Sequence, residues 1–154
     1  MANTNSRWRA GLWAYAPLVL WIGLILFFSG SRGSVAETSG FFGPLLEFLF
    51  PSLTAEDLLF YYGYFRKFMH FAVYAVLGFL ALRAVSGEGR PSWYAVAMAL
   101  LICLAVAVTD EYVQSLDPSR TGTPNDVAID MAGAITMVVG ISLLRSRRAA
   151  PDGA

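Results

Sequence analysis

The stretch WYAVAMALLICLAVAVT, residues 93–109, contains no charged residue and is followed directly by Asp110 and Glu111. A helix of about 17–25 apolar residues is long enough to cross the hydrocarbon core of a bilayer. Three further apolar blocks of similar length occupy residues 11–28, 68–85 and 127–144. The sequence therefore predicts an all-α membrane protein with four transmembrane helices.

The composition of the whole chain agrees with this fold class. Of its 154 residues, 56% are hydrophobic and only 14% are charged, whereas a soluble domain carries about 25% charged residues. The formal net charge is zero, so no basic bias indicates a nucleic-acid partner. We expect one transmembrane domain over residues 1–148 and a disordered cytoplasmic tail over residues 149–154.

Local signals mark where some helices begin. Thr54 and Asp57 have the spacing of a capping box, which predicts that the second helix begins near Ala55. Pro124 suits the first position of the fourth helix. The segment FFGPLLEFLF, residues 41–50, is too short to span a membrane and too apolar for water. It predicts an interfacial or re-entrant helical segment between the first and second spans.

The first apolar block, residues 11–28, is longer than the hydrophobic core of a signal peptide, which has about 7–15 residues. We therefore interpret this block as an uncleaved transmembrane helix.

Basic residues predict the orientation. If both termini are cytoplasmic, the cytoplasmic flanks hold Arg7, Arg9, Arg83, Arg90, Arg145, Arg147 and Arg148. The opposite side then holds Arg32, Arg66, Lys67 and Arg120, which are spread over longer loops. The positive-inside rule favours this arrangement. We therefore expect a multi-pass protein of the cell membrane with cytoplasmic termini.

Polar residues gather at the predicted outer ends of the last three spans. They are Arg66, Lys67 and His70, then Asp110, Glu111 and Gln114, then Arg120, Asp126 and Asp130. Within each helix the members are three or four residues apart and can share a face, as can His70 and Tyr74. Ionisable groups at membrane depth cost several kcal/mol unless they pair or line a wet cavity. The pattern predicts one extracytoplasmic polar pocket.

Some of these residues have simpler interpretations. Asp126 follows Thr123 by three positions and could complete a capping box. Arg66 and Lys67 could be interfacial anchors whose charges reach the headgroups, and Gln114 could make an interhelical hydrogen bond. The candidates that these explanations fit least are His70, Glu111 and Asp130.

The polar motifs resemble those of the VanZ-like family of small membrane proteins. The resemblance rests on Lys67-x-x-His70, Asp110-Glu111-x-x-Gln114 and Arg120-x5-Asp126-x3-Asp130-x-x-Gly133, together with their order at the ends of spans. The Phe28-Ser29 end of the first span also fits loosely. It extends from about Trp13 to Gly140. One departure is Asp130, where the family often has asparagine. The resemblance implies a bacterial cell-envelope protein, since the family is named after a member associated with resistance to a lipoglycopeptide antibiotic. It implies no particular reaction.

Two main functions remain open. In the first, the basic residues bind a lipid headgroup, a lipid-linked envelope intermediate or a glycopeptide-type antibiotic, and the acids and His70 orient them. The alternative is a membrane-embedded hydrolase or phosphatase acting on a lipid, with His70, Glu111 and Asp130 as catalytic candidates. The same acids and His70 could hold a divalent metal, although no cofactor is clearly implied. A third interpretation is a scaffold in which the cluster only joins the helices.

Overall fold

The computed structural model describes residues 4–30, 48, 54–86, 91–116 and 123–148. The four long helices in these ranges are α1 (Thr4–Ser29), α2 (Ala55–Val85), α3 (Trp93–Ser115) and α4 (Pro124–Arg148). Each is long and apolar enough to cross a membrane, and the described residues form no strand. The predicted all-α fold with four membrane-spanning helices is confirmed.

Two of the predicted helix starts are confirmed. The Thr54 hydroxyl accepts a hydrogen bond from the Asp57 amide at 3.2 Å, and the Asp57 carboxylate accepts one from the Thr54 amide at 3.0 Å. This capping box begins α2 at Ala55, because it satisfies amides that have no partner within the helix. Pro124 is the first residue of α4, where its missing amide hydrogen costs nothing.

The helices extend beyond the apolar blocks that predicted them. The third continues past Thr109 to Ser115 and thereby includes Asp110 and Gln114. An α-helix can continue into polar sequence near a membrane surface, because polar side chains that pair with one another are tolerated there. Of the predicted interfacial segment 41–50, only Phe48 is described, and it is helical and exposed. The rest of that segment and the tail 149–154 lie outside the described residues.

The central packing contact joins α2 and α4 through small residues. A side chain at Gly78 would meet the Ala134 carbonyl oxygen at 2.9 Å, and one at Gly133 would overlap the Phe71 carbonyl. Small residues let two helix backbones approach this closely in a membrane. The buried core beside this contact includes Tyr74, Leu77, Leu82, Cys103 and Val138.

Contacts between helix ends define the two ends of the bundle. At one end, Arg83 donates to the Trp13 carbonyl at 3.1 Å, and Arg145 donates to the Ser86 hydroxyl at 3.2 Å. At the other end, the Ser29 hydroxyl donates to the Asp110 carbonyl at 2.9 Å. The basic end of the bundle therefore lies opposite the end that carries the polar residues.

The depth of the polar residues follows from helix geometry. At 1.5 Å per residue, Arg66 lies about 26 Å along α2 from Arg83, and His70 about 20 Å. The hydrocarbon core of a bilayer is about 30 Å thick. With Arg83 at one interface, Arg66 lies close to the opposite headgroups and His70 lies about one helical turn deeper.

Candidate functional site

Arg66 joins three helices at the rim of the polar end. Its Nη2 donates to the Gln114 side-chain oxygen in α3 at 2.9 Å, and the same atom lies 3.8 Å from the Asp126 carboxylate in α4. The Arg66 side chain is 22% exposed, so it is held by its partners and still reaches the surface. A guanidinium has five N–H donors in a planar fork, and both of these contacts use only Nη2.

His70 and Asp130 form a second contact between α2 and α4, deeper in the bundle. The His70 Nδ1 lies 2.9 Å from Asp130 Oδ1, and the two side chains are 12% and 1% exposed. Asp130 lies one helical turn before Gly133, the residue at which α4 contacts the α2 backbone. This contact fixes the position of Asp130. A proton on Nδ1 would leave Nε2 with its lone pair free to accept a proton or bind a metal.

Asp110 is the most fully bonded acid of the cluster. Its Oδ2 accepts from the Tyr74 hydroxyl at 3.1 Å, and its Oδ1 accepts from the Gln114 amide at 2.9 Å. Its backbone carbonyl accepts from Ser29. These partners lie on α1, α2 and α3, so the hydrogen bonds of Asp110 connect three helices.

Three carboxylate oxygens at the site lack such partners. Asp130 Oδ2 and both oxygens of Glu111 are inaccessible to solvent and make no hydrogen bond with another described residue. A buried polar atom without a hydrogen bond costs about 1–3 kcal/mol, and more when it is charged. These three oxygens could therefore accept further hydrogen bonds.

The structure brings together six of the nine sequence-predicted site residues in direct polar contacts: Arg66, His70, Asp110, Gln114, Asp126 and Asp130. Glu111 is close enough to interact electrostatically with His70 and the three aspartates. Lys67 is exposed and no contact joins it to this group. Arg120 lies outside the described residues. The Asp126 carboxylate lies 3.8 Å from Arg66 Nη2, and its interpretation as part of a capping box stays a prediction.

Two residues of this network were not among the sequence-predicted site residues. Tyr74 and Ser29 each donate a hydrogen bond to Asp110 and are 1% and 2% exposed. Tyr74 follows His70 by four residues, and that spacing is a usable signal because it places both on one helix face. Ser29 has no spacing signal of this kind, and in the sequence only the loose match of Phe28-Ser29 to the family pattern points to it.

The arrangement offers two kinds of chemistry. Arg66 supplies a cation at the polar end of the bundle, and His70 supplies an imidazole oriented by a buried carboxylate. One potential ligand atom from each of His70, Asp110 and Asp130 lies within 4.8 Å of the others, so these residues could also hold a metal ion.

The comparison with protein families agrees with the resemblance seen in the motifs. A family model described as VanZ/LLP1 matches residues 13–145, which is nearly the whole chain and includes every residue of the site. The chain therefore belongs to the VanZ/LLP1 family. No curated protein and no solved structure gives a match.

Proposed function

We propose that this member of the VanZ/LLP1 family binds a phosphate-bearing lipid headgroup at its polar end, on the extracytoplasmic side of the cell membrane, and thereby acts on the bacterial cell envelope. The observation that carries the proposal is that the Arg66 guanidinium, at the polar end of the bundle, is held by Gln114 and Asp126. Its distance of about 26 Å along α2 from Arg83 is compatible with the depth of lipid headgroups.

The chemistry of Arg66 supports a phosphate ligand. A guanidinium matches phosphate oxygens through two parallel N–H donors, and such charge-assisted pairs are stronger than neutral hydrogen bonds. The contacts with Gln114 and Asp126 restrict the side chain before a ligand arrives, which lowers the entropy lost on binding. Because the rest of the guanidinium keeps its donors, a phosphate can bind without displacing either partner.

The orientation in the membrane rests on charge. The end opposite the site carries Arg83, Arg145, Arg147 and Arg148 on described helices, and clustered arginines favour the cytoplasmic side. The site then faces the compartment in which bacteria assemble their cell wall. Lipid-linked envelope intermediates and lipoglycopeptide antibiotics are encountered there, so a headgroup site offers a route to the antibiotic resistance associated with the family.

Lipid retention in nanodiscs tests this function. We expect native mass spectrometry to show anionic phospholipid on the wild-type protein and severalfold less on Arg66→Gln. Arg147→Gln is the matched control, since it removes the same charge from an exposed position at the other end of the bundle. Arg66→Gln loses the contacts with Gln114 and Asp126 and should unfold at a somewhat lower temperature than Arg147→Gln, so lipid retention is compared at a temperature at which both variants are folded. Equal lipid retention by the two variants would contradict the proposal.

The resistance role needs a cellular readout. In a bacterial host that expresses the protein, we expect reduced susceptibility to a lipoglycopeptide, which Arg66→Gln should abolish and Arg147→Gln should preserve. If the normally expressed wild-type protein did not change susceptibility, a role in resistance would be contradicted. Headgroup binding would still be decided by the nanodisc measurement.

A second candidate function, hydrolysis of a lipid phosphate ester, is favoured by the His70–Asp130 pair. With its Nδ1 proton directed to Asp130, the His70 Nε2 could take a proton from water as the water oxygen forms a bond to phosphorus. The ester P–O bond would break, and the proton would pass to the departing alkoxide. Release of inorganic phosphate from a phosphomonoester lipid by the wild-type protein, lost in His70→Gln, would support this function. No release would count against it.

A further inference from the structure

We propose that His70, Asp110 and Asp130 bind a divalent cation of the Mg²⁺ or Mn²⁺ class. The three residues come from α2, α3 and α4, and one ligand atom from each lies within 4.8 Å of the other two. The inference deepens the proposed headgroup function, because a cation at this depth could connect the carboxylates to a lipid phosphate.

The distances between the donors suit a single ion. Hard divalent cations bind oxygen at about 2.0–2.6 Å, so donors on opposite sides of an ion are about 4–5 Å apart and neighbouring donors about 3 Å. The 2.9 Å between His70 Nδ1 and Asp130 Oδ1 matches neighbouring donors. The same contact that forms a hydrogen bond could therefore become one edge of a coordination shell.

The charge balance of the site also indicates a cation. Four carboxylates, those of Asp110, Glu111, Asp126 and Asp130, interact electrostatically within the cluster. The facing cations among the described residues are Arg66 and, when protonated, His70. The acidic groups therefore outnumber the facing cations, and uncompensated negative charge near a membrane is costly. A divalent cation would neutralise such charge.

A separate observation identifies an oxygen that could bind the ion. Asp130 is 1% exposed, and its Oδ2 makes no hydrogen bond to another described residue. Oδ2 belongs to the same carboxylate as Oδ1, so Asp130 could bind the ion through one oxygen or through both. A buried carboxylate oxygen in this position has the character of a metal ligand.

The hydrogen bonds around Asp110 are compatible with coordination. Each carboxylate oxygen has two lone pairs, so the contacts from Tyr74 and Gln114 leave one lone pair on each oxygen. Groups that hydrogen-bond to a metal ligand fix its orientation and tune its affinity. Tyr74 and Gln114 are placed to do this for Asp110.

The donor set selects the class of ion. Two carboxylates and one imidazole are mostly hard oxygen ligands, which favour Mg²⁺, Ca²⁺ or Mn²⁺, whereas structural zinc sites are typically rich in cysteine and histidine. Mg²⁺ is usually bound by one or two carboxylates together with substrate phosphates. That preference fits a site directly below Arg66.

Binding of Mn²⁺ alone tests the cation site without reference to a lipid. Tag-free protein in detergent, stripped with a chelator, should bind one Mn²⁺ per chain in a titration followed by electron paramagnetic resonance, and Mg²⁺ should compete. Asp130→Asn should weaken binding by about 10–100-fold or more, the range found when even supporting residues of metal sites are lost. Glu56→Gln is the control, since Glu56 is an exposed acid outside the cluster.

A pulsed measurement on the wild-type protein keeps the test decisive if Asp130→Asn does not fold. His70 is the only histidine in the chain, so an imidazole ¹⁴N coupling to bound Mn²⁺ would identify it as a ligand. Absence of saturable binding, absence of that coupling, or unchanged affinity in folded Asp130→Asn would overturn the proposal. Because no lipid is present in this experiment, a negative result would not bear on headgroup binding by Arg66, which the nanodisc measurement tests separately.

Discussion

Gly133 in α4 lies against the backbone carbonyl of Phe71 in α2, so closely that a Cβ atom at position 133 would overlap the Phe71 oxygen. Phe71 directly follows His70, and Gly133 follows Asp130 by three residues. The contact between these two backbones therefore sets the distance at which His70 and Asp130 meet.

Gly133→Ala should separate α2 from α4 at this point. Overpacking of this kind costs about 1–3 kcal/mol, which should appear as a lower unfolding temperature in detergent. Gly140→Ala is the control on the same helix, because no atom lies within 4 Å of a Cβ built at Gly140. Equal stability of the two variants would show that the close approach at Gly133 does not exist.

The Tyr74 hydroxyl should contribute measurably to stability through Asp110. Interhelical hydrogen bonds in membranes are worth about 0.6 kcal/mol on average and up to about 1.7, and the buried carboxylate places this one towards the upper value. We expect Tyr74→Phe to lower the free energy of unfolding in a denaturing-detergent titration by about 1–2 kcal/mol. Tyr112→Phe should have no effect, since Tyr112 is 64% exposed.

The predicted orientation can be tested by labelling single cysteines in intact cells. In a Cys103→Ser background, Lys67→Cys should react with a membrane-impermeant maleimide, because Lys67 is exposed and is proposed to face outward. Arg148→Cys should react only after the membrane is opened. The reverse pattern would place the polar end in the cytoplasm.

The capping box of α2 should depend on pH. Hydrogen bonds from the Thr54 side chain and backbone hold the pKa of Asp57 below its ordinary value of 3.8. A carboxyl whose pKa is lowered by folding stabilises the folded state above its unfolded pKa, and this contribution is lost as the pH falls through the lower, folded pKa.

Amide protection factors in the first turn of α2 should therefore fall as the pH is lowered below about 4. Asp57→Asn should remove most of this dependence, whereas Glu56→Gln should keep it. If Asp57→Asn retained the full dependence, another group would be responsible.

The sequence was sufficient for the features that depend on local signals. The apolar blocks predicted four spans, Thr54 and Asp57 predicted the start of α2, and Pro124 predicted the start of α4. Placement of the polar groups at one end followed from the alternating direction of successive spans. These features need only helix geometry and hydropathy.

The pairings within the site could not be predicted in the same way. Whether His70 meets Asp130 or Glu111 depends on how each helix is rotated about its axis, and that rotation is set by packing such as the contact of Gly133 with Phe71. The hydrogen bond from Ser29 to a backbone carbonyl in α3 has no signature in residue type. For Arg120, membership of the site stays a prediction.

The proposed function depends on the binding of a headgroup phosphate by Arg66 at the polar end of the bundle. An experimental structure of the protein in nanodiscs that contain an anionic phospholipid tests it most directly. We expect a phosphate within hydrogen-bonding distance of the Arg66 guanidinium, with Gln114 still bound to Nη2. Lipid density confined to the apolar sides of the bundle, with Arg66 contacting only Gln114 and Asp126, would contradict it.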